Sequence, residues 1–154
     1  MLPSKEFDRI LNELRKNFKI SDICEISTET TLHNLCDEKL CDLKEMGFNR
    51  ISIGIQTFDT EGRKFFNRTG DKEYALKRLG SIRNLFDKIV ATDIIYNYPN
   101  QSRGILLEDA RIIKEYQIDS TSFYSLMMQK GSVLSNTLGT EDTRLKLDKQ
   151  QSTI

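Results

Sequence analysis

The chain has 154 residues, 38% of them hydrophobic, and its 23 basic side chains match its 23 acidic ones. That length supports one domain with a core, while the even charge offers no basic excess for nucleic acid and no block typical of a disordered tail. No apolar run approaches the about 18 residues a membrane helix needs, and "MLPSKEFDRILNEL" reads as an amphipathic helix rather than a secretion signal.

In chain order, Ser4 can cap a helix from Lys5 to about Asn17, with Phe7, Ile10, Leu11, Leu14 and Phe18 on one face. "DICEISTE", Asp22 to Glu29, alternates like a strand. Asp37 can cap "EKLCDLKEMG", a short helix that stops at Gly47. "RISIGIQ" is a strand whose isoleucines alternate with Ser52, Gly54 and Gln56. "DTEGRKFFNRTG" predicts a short helical turn and a loop, and "DKEYALKRLGSIRNLF" a longer amphipathic helix. The β-branched "KIVATDIIY" is a strand, and "NYPNQSRG" is a loop of turn formers. "ILLEDARIIKEYQ" is a helix and "DSTSFYSLM" a last strand, with the chain turning polar beyond Gly131. The result is an α/β pattern of parallel strands joined by helical crossovers.

In a (β/α) barrel one strand face looks inward, the other packs under helices, and sites collect at the C-terminal strand ends. The last polar residue of each strand, followed back in steps of two, gives Glu29 on the first and Gln56 above Gly54 and Ser52 on the second. It gives Asp93 above Ala91 on the third and Tyr124 above Ser122 and Ser120 on the fourth. Four polar side chains in one phase, often over small residues, are what a barrel needs where its upper interior holds a ligand. Strand-end polar groups meeting solvent are the plainer alternative. Glu29 and Asp93 can bind hydroxyls or a cation, and Gln56 can donate and accept. Arg68, in the loop after the Gln56 strand, is either a solvated arginine or a clamp for a carboxylate. No nucleophile stands beside a base, so no catalytic residue is assigned. Three cysteines, an odd number, point to a reducing cytoplasm rather than to a disulfide framework. Cys24, Cys36 and Cys41 match no zinc spacing and are expected to be small, partly buried thiols. His33, without partners in the sequence, is read as a helix-entry or surface residue, so no metal ligand is assigned.

"NRISIGIQTFD", "NRTG", "ATDIIYNYPNQS" and "STSFYSLM" resemble, in order and spacing, the radical S-adenosylmethionine family of oxygen-independent coproporphyrinogen III oxidases. That group includes haem chaperones and anaerobic haem-degrading enzymes. "EISTETT" resembles the preceding family strand, and the resemblance runs from Met1 to about Leu134. It implies a partial (β/α) barrel in which a four-iron four-sulfur cluster cleaves S-adenosylmethionine to a 5′-deoxyadenosyl radical. In the oxidase that radical leads to decarboxylation of a propionate on a tetrapyrrole. By position, Arg68 matches the residue that pairs with the methionine carboxylate. Glu29, Gln56 and Asp93 match those that hydrogen-bond the amino and ribose groups, and Tyr124 matches a barrel-lining position on the last strand.

The departures are specific. The C-x-x-x-C-x-x-C cluster motif of the family is absent, as is its G-G-G-T-P segment. "LPSKEFDRIL" resembles the family sequence directly after that segment, so residues 1–134 are expected to carry strands three to six of a six-strand core, and residues 135–154 a polar tail. Asn97 stands where the family has a glycine. The chain is therefore expected to be a fragment of a radical S-adenosylmethionine protein, inactive alone. Haem chaperone, anaerobic haem degradation and a degenerate module without chemistry are the alternatives, and a partner chain could supply the missing strands.

Overall fold

Four parallel strands in the order β1-β2-β3-β4 form the sheet: β1 is Ser27–Thr30, β2 Arg50–Gln56, β3 Ile89–Tyr96 and β4 Ser120–Ser125. The computed structural model describes residues 2–127, so the polar tail read at 135–154 lies outside the described residues. Five helices alternate with the strands: α1 Ser4–Asn17, α2 Asp37–Glu45, α3 Thr60–Phe65, α4 Lys72–Leu85 and α5 Arg103–Glu115. A short 3-10 turn, Leu32–Asn34, lies between β1 and α2.

The alternation in "RISIGIQ" decides which face is buried. Ile51, Ile53 and Ile55 are fully buried and share one core with Leu40 and Leu43 of α2, Leu79 and Ile82 of α4, Val90 and Ile94 of β3, and Ile112 of α5. Burying each such side chain removes about 1.5–3 kcal/mol of unfavourable hydration. On the other face the register aligns Glu29 with Ser52, Ser52 with Ala91 and Ala91 with Ser120. Two residues further along, it aligns Gly54 with Asp93 and Asp93 with Ser122. This face carries small and polar residues and no helix of the core.

Several boundaries differ from the sequence reading; α5, for one, starts at Arg103 rather than Ile105, with the Ser102 hydroxyl accepting from Ile105 N, and β4 ends at Ser125 rather than Met127. Pro3, not Ser4, is the N-cap of α1, and the Ser4 hydroxyl reaches forward to the Asp42 carboxylate instead. Cys36 caps α2, so Asp37 is its first residue, where its charge suits the helix N-terminus and pairs with Arg78. The first strand starts at Ser27 rather than Asp22. The Asn49 side chain accepts from Ile26 N and donates to Cys24 O, both at 2.8 Å, and so replaces the ladder there. The glycine stop at Gly47 is present, with φ 89 and Phe48 N bonded to Leu43 O at 3.0 Å. Asn97 takes the left-handed backbone, φ 67, that its position requires.

Cys24, Cys36 and Cys41 are all exposed, which corrects the expectation of partly buried thiols. Cys24 precedes the ladder, Cys36 is a cap, and Cys41 lies on α2 between the core residues Leu40 and Leu43.

Candidate functional site

The site is built where β1 and β2 end. Gly54 is the key to its floor. A Cβ there would lie 2.8 Å from Gln56 Nε2, 3.6 Å from Thr30 O and 4.0 Å from an Arg68 Nη. The missing side chain thus makes the space into which the Gln56 carboxamide folds, and Arg68 closes in beside it. Gln56 reaches this place because the β2–β3 register shifts between Gly54 and Gln56, and Gln56 is left-handed at φ 71.

Arg68 is presented by the loop after α3. Asn67 turns left-handed at φ 51, its amide bonds Lys64 O at 3.0 Å, and Arg68 N bonds Arg63 O at 2.8 Å. Arg63 is the hidden support of this loop. It is 2% exposed, and its guanidinium donates to Gly70 O at 3.0 Å, Thr69 O at 2.7 Å and Thr57 O at 3.3 Å. Burial holds its pKa below that of an ordinary arginine.

A cavity of about 190 Å³ opens here, walled by Gly54, Arg63, Asn67 and Arg68 on one side and by Thr31, His33 and Asn34 on the other. Two arginines and a histidine line it and no carboxylate does. Arg68 Nε is buried with no hydrogen-bond partner among the described residues. A buried donor of this kind costs free energy unless a ligand or water meets it, so the cavity presents an unmet donor and no carboxylate among its lining residues.

Beside it on the same face lies a carboxylate pair. Burial, and then the charge of Glu29, push the Asp93 carboxyl above the usual range, while the Ser52 hydroxyl pulls it down. Glu29 itself is exposed. The structure therefore joins Gln56 to Arg68 across Gly54, and Glu29 to Asp93 beside Ser52. Tyr124 lies on β4, aligned with Ile95 and 55% exposed. His33 is exposed, as read, but it also lines the cavity.

Sequence reasoning missed the layer behind Gln56. Asp109 of α5 is 1% exposed and accepts from Thr57 Oγ1 and Phe58 N, both at 2.9 Å. Tyr98 meets the same Thr57 hydroxyl at 3.1 Å. Gly62 allows this packing, since a Cβ on it would stand 2.5 Å from the Tyr98 hydroxyl oxygen. These contacts span 41 to 52 residues, beyond any local pattern.

Burial pushes the Asp109 carboxyl up to about 6, against the opposing Phe58 amide and Thr57 hydroxyl. A carboxyl raised above its unfolded value of ~3.9 contributes stability that is fully present below that value. The contribution is lost as pH rises through the folded value. Urea midpoints of the chain and of Asp109→Asn, compared between pH 4.5 and 7, are expected to show a falling contribution that the variant lacks, at most about 3 kcal/mol. Equal pH slopes would contradict it. Glu108, which its Arg111 and Lys72 partners hold down to about 2, loses its contribution only below this window.

Among the described residues no helix is long and apolar enough to cross a membrane. The heme chaperone HemW of Buchnera aphidicola subsp. Schizaphis graminum is 31% identical over 129 residues, covering 84% of this chain and 34% of that protein. The anaerobilin synthase of Escherichia coli O157:H7 is 31% identical over 136 residues, 88% of this chain and 29% of that protein. The solved structure of coproporphyrinogen III oxidase (HemN) from Escherichia coli superposes with a TM-score of 0.79 at 26% identity, over 99% of this chain and 36% of that one. The chain thus spans about a third of the length of the relatives it matches. The family model described as the radical SAM superfamily matches residues 2–126, and the chain belongs to that superfamily.

Proposed function

We propose that this chain holds S-adenosylmethionine at the ends of β1, β2 and β3, as part of a radical SAM protein that acts on or carries a tetrapyrrole. The observation that carries the reading is the buried, unpartnered Arg68 Nε in a cavity without carboxylates. Arg68 takes the methionine carboxylate through charge-assisted bonds. Gln56 and Asp93 take the ribose hydroxyls, and Glu29 takes the amino group, whose positive charge the Glu29–Asp93 pair attracts. In this superfamily S-adenosylmethionine supplies a 5′-deoxyadenosyl radical when it binds against an iron–sulfur cluster.

The residues fit S-adenosylmethionine but not the cluster. Cys24, Cys36 and Cys41 are exposed, and the described residues contain no group of three His, Cys, Asp or Glu that could hold a metal ion. The tetrapyrrole part of the proposal rests on the names of the relatives, a heme chaperone, an anaerobilin synthase and a coproporphyrinogen III oxidase. Radical oxidative decarboxylation of propionate side chains is the reaction proposed for the whole protein, with haem carriage as the alternative.

Two surfaces support a larger assembly. β1 is an edge strand of the described sheet, and Ile10 and Leu14 of α1, with Phe18 at its C-cap, form an exposed apolar stripe. An edge left unpaired among the described residues, and an exposed apolar stripe, each suit further strands packing there, from this protein or from a partner chain.

The expected pair of results is binding without cleavage. The chain takes up radiolabelled S-adenosylmethionine saturably in equilibrium dialysis. After anaerobic incubation with iron, sulfide and dithionite it forms no 5′-deoxyadenosine. Absence of saturable binding would sink the first half, and clear reductive cleavage the second.

A further inference from the structure

Gln56 is the strained member of the site. At φ 71 its side chain crowds the backbone in a way glycine would avoid. Such a conformation persists only where the surroundings over-determine it. Among the described residues, none of the hydrogen bonds that fix this turn is made by Gln56 side-chain atoms. They fall on the next residues, from Thr57 to Asp59.

The Asp109 carboxylate uses one oxygen for Thr57 Oγ1 and the other for Phe58 N, each at 2.9 Å. Thr57 is fully buried. Its hydroxyl hydrogen goes to Asp109, so the same oxygen accepts from Asp59 N at 3.1 Å and from Tyr98 OH at 3.1 Å. The Thr57 carbonyl accepts from Arg63 at 3.3 Å. The turn is thus gripped from α3, from the β3–α5 loop and from α5. Asp109 does not line the cavity and cannot touch a ligand there. What it can do is set the direction in which the chain leaves β2, and with it the place of the Gln56 carboxamide.

We propose that Asp109 is a positioning residue, locking Thr57 and Phe58 so that Gln56 stays left-handed with its carboxamide over Gly54 beside Arg68. This rests on the reading of Gln56 as a ligand-holding group. Asparagine at 109 would still accept from Phe58 N. Its NH2, however, would face a Thr57 oxygen already taken by two donors, and the Thr57 hydrogen would have to turn from Asp109 to the Tyr98 oxygen, reversing the bond that now holds Thr57.

The test is NMR of the ¹⁵N-labelled chain with Asp109→Asn, Thr57→Val and Thr57→Ser. In the parent, Gln56 is expected to show the strong intraresidue HN–Hα NOE of a left-handed residue. Asp109→Asn and Thr57→Val lose it, and the Gln56 carboxamide resonances move, while the amides of Ile51 and Ile53 stay. Thr57→Ser, which keeps the hydroxyl, retains the parent pattern. S-adenosylmethionine binds about tenfold more weakly to the two disrupted variants. Should Asp109→Asn fail to fold, Thr57→Val carries the same comparison. An unchanged Gln56 NOE and carboxamide in a folded Asp109→Asn or Thr57→Val chain would overturn the proposal and leave Asp109 a merely structural residue. Loss of the NOE in a chain whose parent binds no S-adenosylmethionine would uphold the positioning role and defeat the proposed function separately.

Discussion

Arg68→Met is expected to weaken S-adenosylmethionine binding by at least about 2 kcal/mol, roughly thirtyfold, and to leave stability nearly unchanged. The two halves of this result share one cause. Arg68 Nε has no partner among the described residues, so the fold gains little from it. The ligand carboxylate would meet a buried donor and a fork that match it geometrically. The sharper form of the experiment uses decarboxylated S-adenosylmethionine as a second ligand. The parent chain should prefer the carboxylated form, and Arg68→Met should not distinguish the two. Arg68→Lys should fall between, because an ammonium keeps the charge and loses the bidentate geometry. Equal preference in parent and variant, measured by equilibrium dialysis, would show that Arg68 does not read the carboxylate.

Arg63→Met should give the largest loss of stability, about 3 kcal/mol or more. The three bonds to the Thr57, Thr69 and Gly70 carbonyls disappear together. Methionine fills part of the volume and offers no donor, so those carbonyls are left short of partners. Relief from burying a charge offsets part of the cost. The same change frees the loop that carries Arg68, so ligand binding should fail even where the variant still folds. Urea denaturation and dialysis on the same sample separate the two effects. A variant as stable as the parent would mean that solvent replaces the guanidinium without cost.

How much of this could be read from the sequence depends on the range of the interactions. The Ile51, Ile53 and Ile55 alternation identified both faces of β2, because a parallel strand under helices must bury one face fully. Gly47 was legible locally as a helix stop, and Asn97 only through the glycine that the resembling family carries at its position. Each is a backbone geometry that few residues tolerate. The helix starts slipped by a residue, since Pro3 and Cys36 hold the cap positions although neither side chain makes a capping bond. Glu25 was put in the first strand because nothing local reveals that the Asn49 side chain takes over the ladder at Cys24 and Ile26. Glu29, Gln56 and Asp93 emerged from strand phase. The reason Gln56 can point toward Arg68 did not, since it lies in a register shift and a left-handed residue. Nothing in the sequence singled out Arg63 in its charged loop or Asp109 in its helix. Their burial is decided by elements that meet only in three dimensions.

The most direct test is a titration of the ¹⁵N-labelled chain with S-adenosylmethionine, tracked at the backbone amides and at arginine Nε–H. The account predicts saturable shifts centred on Gln56, Asp93 and Glu29, with the Arg68 Nε–H signal moving as it gains an acceptor. No saturable shift, or shifts confined to Ile10, Leu14 and Phe18 on α1 and its C-cap, would contradict it.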